Sequence, residues 1–359
     1  MDLNRIFMKN ACPTKVGGQA ILEGLMMRGS RSVAIAIRQP DGNIHLTVEP
    51  LKKPGAWKKW PIVRGVVSFI SSLVMGTSIL MYGADVLEKL EEKKAREEQA
   101  AKPQKAPDPD EKAKAKAKKE EGIPKSAVLL SVALALIMVV ALFVLLPTFL
   151  LGLLKKAGVE SVLLLNLLEG IIRICIFIVY ILLCRKVPDV RRTFEYHGAE
   201  HKTIHCYENG LELTPENAQT FYTLHPRCGT SFLMFVMVIS LLVFSLFGWP
   251  GIAARIITRL LLIPVIAGLS YELLQWTGRH NNACVKVLSM PGIMLQKLTT
   301  CEPDLKELEV AIAAMKAVIP AHEDENVPVD YWVGIQLPDG TLVKNEAETS
   351  DYIASKNKK

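Results

Sequence analysis

Charged residues are in short supply. Only 22% of the 359 residues are Asp, Glu, Lys or Arg, while 50% are hydrophobic and the mean hydropathy is +0.24. Soluble domains are nearer about a quarter charged, with their apolar residues dispersed. Here the apolar residues are bunched, which excludes a purely soluble globule. Cysteine is scarcer still: seven, an odd number, scattered, with Cys175 and Cys184 inside apolar runs. That excludes a disulfide scaffold and suits a reducing environment for the polar parts. Glycine numbers 23, far below the third of all residues that a collagen needs. Residues 1–13 contain no apolar core, so no signal peptide is expected. The net charge of +7 is mostly carried by basic and acidic tracts outside the apolar runs and does not point to nucleic acid.

What the chain does have is long apolar runs. A spanning helix needs ~20 apolar residues to cross ~30 Å of hydrocarbon. Residues 126–154 are uncharged, 162–184 carry only Glu169 and Arg173, 229–254 are uncharged, and 256–276 carry Arg259 and Glu272. Trp249, Pro250 and Gly251 form a breaker between the last two. The expected fold is an α-helical multi-pass membrane protein with four transmembrane helices in two hairpins (126–184 and 229–276). Lys and Arg number ten in residues 1–60, twelve in 85–125 and six in 185–228, but only Lys155 and Lys156 separate the first pair of runs. By the positive-inside rule both termini and the middle loop are then cytoplasmic. Segment 61–84 is apolar but carries Arg64, and a crossing there would put two basic regions on opposite sides. It is therefore expected to be a re-entrant or interfacial helix.

The remaining segments read as a small cytoplasmic α+β part. In 1–60, two alternating runs flank Pro40, Asp41 and Gly42, a hairpin signature. Residues 17–29 resemble a strand packed on both faces, in which Glu23 and Arg28 need partners. Segment 85–125 is a charged, low-complexity insertion that cannot bury a core. Leu305, Leu308, Ile312, Met315 and Ile319 recur at helical spacing, so 277–319 should hold amphipathic helices. The tail, 320–359, has a possible short hairpin around Pro338, Asp339 and Gly340.

One constellation carries chemistry. His197 and His201 are i and i+4, which stacks two imidazoles on one helix face, and His205 extends that face. Thr214 and Pro215 suit the N-cap and first position of another helix, after which His225 and Cys228 lie three apart around a turn. Zinc takes nitrogen and sulfur donors in four-coordinate geometry. His197, His201, His225 and Cys228 would supply them, and if one only orients, a water completes the site. The run from His197 to His201 also fits the H-x-x-E-H pattern of inverzincin peptidases, with Glu200 as base. The competing reading is that these histidines contact headgroups or cap helices. In the membrane, Glu169 and Arg173 can pair at i, i+4, and with Arg259 and Glu272 they form either interhelix ion pairs near the cytoplasmic boundary or a polar path.

Five blocks occur in one order: GGQAILEGLMMRG (17–29), YHGAEHKTIHCYE (196–208), HPRCGTSF (225–232), LLIPVIAGLSYE (261–272) and PGIMLQKLTTCEPD (291–304). Over roughly residues 15–315 the chain resembles the YqhQ-like family of bacterial multi-pass membrane proteins, a domain of unknown function described as predicted metal-dependent enzymes. The resemblance implies a bacterial cell (inner) membrane location. By motif it implies functional roles for His197, Glu200, His201, His225 and Cys228, with His205 a bystander. The expectation is thus a zinc-dependent hydrolase at the cytoplasmic membrane face, with the lipid bilayer as partner and a membrane-associated protein or lipid as substrate. Glu23 and Arg28 would line the same cavity, no nucleic acid would be involved, and an oligomer is possible. Its rivals are a non-enzymatic scaffold or membrane-protein biogenesis factor with a structural zinc, and a transporter using Glu169, Arg173, Arg259 and Glu272; Arg64 is a further polar site candidate.

Overall fold

The computed structural model describes residues 6–7, 11–51, 63–101, 125–159, 161–247, 252–280, 282–324 and 326–357. Six strands form one antiparallel meander in chain order: β1 (Gly17–Ile21), β2 (Gly24–Arg28), β3 (Ser32–Arg38), β4 (Ile44–Pro50), β5 (Trp332–Gln336) and β6 (Leu342–Lys344). The tail strands thus complete a sheet begun at the other end of the chain, with Thr47 opposite Val333. The Pro40–Gly42 turn joins β3 to β4, and Gly42 takes φ +91°, a conformation only glycine adopts freely. Residues 17–29 are two strands rather than the single strand expected. Glu23 adopts φ +52° in a two-residue turn and reverses the chain there. A carboxylate in left-handed conformation lacks the Asn-Gly or Asp-Gly signal that marks such hairpins.

The helices are α1 (Val63–Ala101), α2 (Lys125–Val140), a π-helical turn (Ala141–Leu145), α3 (Leu146–Lys156), α4 (Val162–Cys184), α5 (Pro188–Glu208) and α6 (Pro215–Gln219). They continue with α7 (Gly229–Ser245), α8 (Ile252–Arg279), α9 (Ala283–Thr299), α10 (Leu305–Glu323) and α11 (Glu346–Asn357). Among the described residues, four stretches are long and apolar enough to cross a membrane: Val63–Glu92, Ala133–Lys156, Val162–Cys184 and Ile257–Arg279. This set differs from the expected four. The run 229–254 yields only the 17-residue α7, and its expected breaker falls at 248–251, outside the described residues. Residues 63–84 of the segment expected to be a re-entrant or interfacial helix lie in one 39-residue helix with no proline to interrupt it. The charged insertion continues that helix to Ala101, and 102–124 lie outside the described residues. Helix α11 was not expected; in it Tyr352 donates to Glu49 of β4 at 2.6 Å.

Period-two alternation buries both faces of the sheet. Leu25, Met27, Ala34, Ala36, Leu46 and Val48 share a core with α5 and α10. Met26, Val33, Ile35 and Ile37 share another with Ile79, Val86 and Leu87 of α1. Helix α10 is the central element: Asp304 caps it in a reciprocal capping box with Glu307, and Leu308, Val310, Ala311, Ala314, Met315 and Val318 are wholly buried. It packs on the sheet, not on headgroups. Helix α1 runs from this sheet to α8, where Arg64 Nε donates to Glu272 Oε1 at 2.6 Å and Gly65 abuts Gly268.

Candidate metal centre

Helix α5 presents different chemistry on two sides. Tyr196 and Glu200 face the sheet, and His197, His201, His205 and Glu208 face the turn at 223–228. A glycine fixes each contact. A Cβ on Gly198 would fall 2.1 Å from the Cys301 carbonyl oxygen, and one on Gly18 of β1 would fall 2.9 Å from Glu200 Cδ. The helix therefore lies directly against residues 299–301 on one side and against β1 on the other.

This placement sets the imidazole tautomers. His197 Nδ1 lies 2.8 Å from the Thr299 carbonyl, and His201 Nδ1 lies 2.6 Å from the Thr223 carbonyl. A carbonyl can only accept, so both Nδ1 atoms donate to it, and each Nε2 is the nitrogen left to face Cys228. His197 Nε2 is 3.2 Å from Cys228 Sγ, and His201 Nε2 is buried with no hydrogen-bond partner among the described residues. Ligand atoms of His197, His201 and Cys228 all lie within 4.8 Å of one another. Cys228 is also the N-cap of α7, where the Thr230 backbone N–H and hydroxyl donate to its sulfur at 3.4 and 3.2 Å. Burial would raise the thiol pKa, but His201 and His197 outweigh it and bring Cys228 well below its ordinary value. Burial likewise opposes protonation of His197, yet the Cys228 sulfur beside it pulls that group up to about 9. Glu200 is buried, and burial pushes its pKa up against the neighbouring His197 and His201.

Two imidazoles with their far nitrogens tied to backbone carbonyls, and a thiol brought well below its ordinary pKa, form a donor set suited to zinc, which on binding would displace the proton that His197 shares with Cys228. The orphaned His201 Nε2 aimed into that set is the observation that favours an ion there. Three protein ligands leave one position of a tetrahedron, with Glu200 alongside.

His225 does not join this set. Gln296 grips its backbone from both sides, accepting from the His225 N–H and donating to its carbonyl, each at 2.9 Å. The ring is thereby turned to Glu208, whose Oε2 accepts from Nε2 at 3.5 Å. His205, Glu208 and His225 form a second close group. Its carboxylate is already filled, by Arg227 and His225 on Oε2 and by the Thr14 N–H (2.8 Å) and hydroxyl (3.2 Å) on Oε1. The carboxylate is thus held by hydrogen bonds, while His205 Nδ1 is buried with no hydrogen-bond partner among the described residues. Burial lowers His205 to about 4 and His225 to about 3; Glu208, despite burial, falls to about 2 through His225 and Arg227. His205, read from sequence as a bystander, is thus part of the scaffold beneath the site. Glu208 continues the same i+3 to i+4 spacing and could have been included on that ground. Nothing in the sequence marks Gln296.

The other expected site residues lie elsewhere. Glu23 pairs with Arg192 at 3.1 Å, a turn before His197, and Arg28 Nη1 approaches Met75 Sδ at 3.9 Å, so neither lines the metal group. Arg64 and Glu272 pair between α1 and α8. Glu169, Arg173 and Arg259 form one cluster where α4, the end of α7 and α8 meet, at the opposite end of the bundle from Cys228.

Comparison with known proteins adds lineage. A family model described as "Protein of unknown function (DUF1385)" matches residues 60–321. "Uncharacterized protein YqhQ" of Bacillus subtilis strain 168 is 33% identical over 331 residues, which cover 87% of this chain and 94% of that protein. No solved structure matches.

Proposed function

Since the chain belongs to the DUF1385 family, whose description assigns no activity, we propose from the site itself that it is a membrane-embedded, zinc-dependent hydrolase working at the cytoplasmic face of a bacterial cell membrane. The observation that carries this reading is the convergence of two tautomer-locked imidazoles and a low-pKa thiol beside a buried carboxylate. His197, His201 and Cys228 would hold zinc, which when bound supplies the Lewis acidity that brings the pKa of water toward neutrality. Glu200 is the general base: its raised pKa suits it to taking a proton from water and passing it to a leaving group. Gly18 leaves the room in which that carboxylate sits. The substrate lies at headgroup depth, because Cys228 caps the helix that enters the bilayer.

The membrane arrangement follows from who shares a core with whom. Residues 17–51 precede α1, yet they pack with Ile79, Val86 and Leu87 inside it. Both parts therefore lie on one side, and α1 dips along α8 without carrying the chain across. Four crossings remain: α2–α3, α4, α7 with its following turn, and α8. With these four crossings, the positive-inside rule favours a cytoplasmic sheet, metal group and basic segments.

Cobalt substitution tests the site. Titrated with Co(II), the metal-free protein is expected to bind one equivalent with a sulfur-to-cobalt charge-transfer band, absent in Cys228→Ser. A monodentate ligand such as azide should shift the visible spectrum if one position is open. Glu200→Gln is expected to keep the metal. An unshifted spectrum would mean a closed site and favour a scaffold with structural zinc; no stoichiometric metal would end the reading.

A further inference from the structure

One strand edge is left unpaired beside the metal group. Strand β1 is the first of the sheet and, among the described strands, pairs only with β2. Each of its faces carries a helix. Glu200 of α5 lies over Gly18 on one face, and on the other Gln19 Nε2 donates to the Gly76 carbonyl of α1 at 3.3 Å. The edge itself is open: residues 17–20 are half-buried, and Gly17 and Gly18 carry no side chain to shield it. Glycine inside a strand often marks a place where another backbone approaches closely.

Register fixes what that edge offers. The Arg38 N–H donates to the Glu23 carbonyl at 2.8 Å, so Gly24 and Ile37 face each other without exchanging hydrogen bonds, and Gly24 directs its own N–H and C=O to Ile21 of β1. Pairing alternates from there. Ile21, Gln19 and Gly17 bond to β2, while Gly18 and Ala20 point their N–H and C=O outward. Among the described residues neither group of Ala20 has a hydrogen-bond partner, and the Gly18 backbone serves as a donor to the Glu200 carboxylate. An outward N–H and C=O on one residue, repeated ~7 Å along, match the backbone of an extended polypeptide, whose own groups recur at that spacing. A phospholipid headgroup offers no such repeat.

We propose that the substrate of this centre is an extended polypeptide segment that adds to the edge of β1 as a further strand, one of its residues exchanging both hydrogen bonds with Ala20. The inference rests on the hydrolase reading above and names its substrate class. Two residues along, opposite Gly18, Glu200 stands where the new strand would otherwise pair, so the peptide bond there meets the base and the metal group. Hydrolysis adds the oxygen of water to its carbonyl carbon and breaks the C–N bond. Glu200 takes the proton from the water and delivers it to the departing nitrogen, giving a carboxylate and an amine. From Gly76 helix α1 runs back to Phe69, which meets Phe232 in the first turn of α7 with ring centroids 5.6 Å apart. The segment that reaches this edge is therefore one lying against the membrane.

Hydroxamates test this on the cobalt-loaded, full-length protein, with affinity read from the visible spectrum. Acetohydroxamate probes the metal alone. An N-acetyl tripeptide hydroxamate of alanine and leucine adds a backbone, and copies methylated at one amide nitrogen each remove one donor. The tripeptide is expected to bind at least about tenfold more tightly than acetohydroxamate. One methylated copy should lose about tenfold, the worth of a hydrogen bond whose partner is left unpaired. Ala20→Pro removes the outward N–H, which the pairing with β2 does not use. It should weaken the tripeptide by a similar factor and shrink the penalty of that methylated copy. Equal binding of the tripeptide and all its methylated copies to the wild type overturns the proposal and leaves a lipid substrate. A penalty undiminished in a folded Ala20→Pro also overturns it, and if that variant does not fold the wild-type comparison decides alone. Bound cobalt whose spectrum neither hydroxamate shifts would instead overturn the hydrolase reading, and this inference with it.

Discussion

Imidazoles are versatile until something takes one of their nitrogens. In this chain backbone carbonyls do so, at Thr299 for His197 and Thr223 for His201, and leave both Nε2 atoms facing Cys228. The i, i+4 spacing that brings the two rings together is visible in the sequence. Their tautomers are not, because the carbonyls come from residues 22 and 102 positions away. His225 illustrates the same limit: three residues from Cys228, it has the spacing of a ligand, but Gln296 rotates it into the Glu208 group. That group has a pH signature. His205 and His225 are held neutral, at about 4 and about 3, below the ordinary value of 6.5. The unfolded chain then binds more protons than the folded one between pH 6.5 and those values, so stability falls as pH falls through that window. Metal-free protein taken from pH 7 to pH 5 is expected to lose on the order of 2 kcal/mol per histidine. Thermal melts should show the loss, and His205→Phe should remove part of the slope.

At the scale of elements, two helices place the site. Helix α5 can approach residues 299–301 only because Gly198 has no side chain. Gly198→Ala is expected to push the helix off that segment, lengthen the His197–Thr299 bond and weaken metal binding about ten- to a hundredfold, as lost support of a ligand does. A competition titration against a chelator measures this. Helix α10 supports α5 from behind. Leu308→Ala removes a wholly buried side chain and should cost about 2–5 kcal/mol, read as a lower melting temperature, with metal stoichiometry unchanged in the folded fraction. The amphipathic spacing of α10 and the Thr214 cap of α6 were legible because they are local. The β1–β2 turn was missed because its left-handed residue is Glu23, which sterics alone disfavour and which Arg192 helps hold.

At the scale of the molecule, the question is which parts lie together. Strands from both ends of the chain complete one sheet, with α1 on one face and α5 and α10 on the other. Sidedness follows. In intact cells an impermeant maleimide is expected to label Lys155→Cys, and to reach Lys344→Cys only after permeabilisation. Labelling of Lys344→Cys in intact cells would invert the proposed orientation.

The sequence by itself determined what local physics governs: which stretches are too apolar for water, the hairpins at Pro40–Gly42 and Pro338–Gly340, the helical spacing from Leu305 to Ile319, and the i, i+4 pair His197 and His201. Tertiary structure alone decided that α1 returns to the sheet it came from, that His225 turns toward Glu208, and that two half-buried arginines meet the buried Glu169 at the far end of the bundle. Periodicity, charge runs and caps act over a few residues and leave a trace at that spacing. Partners drawn from distant segments leave none, because they depend on which surfaces the fold brings into contact.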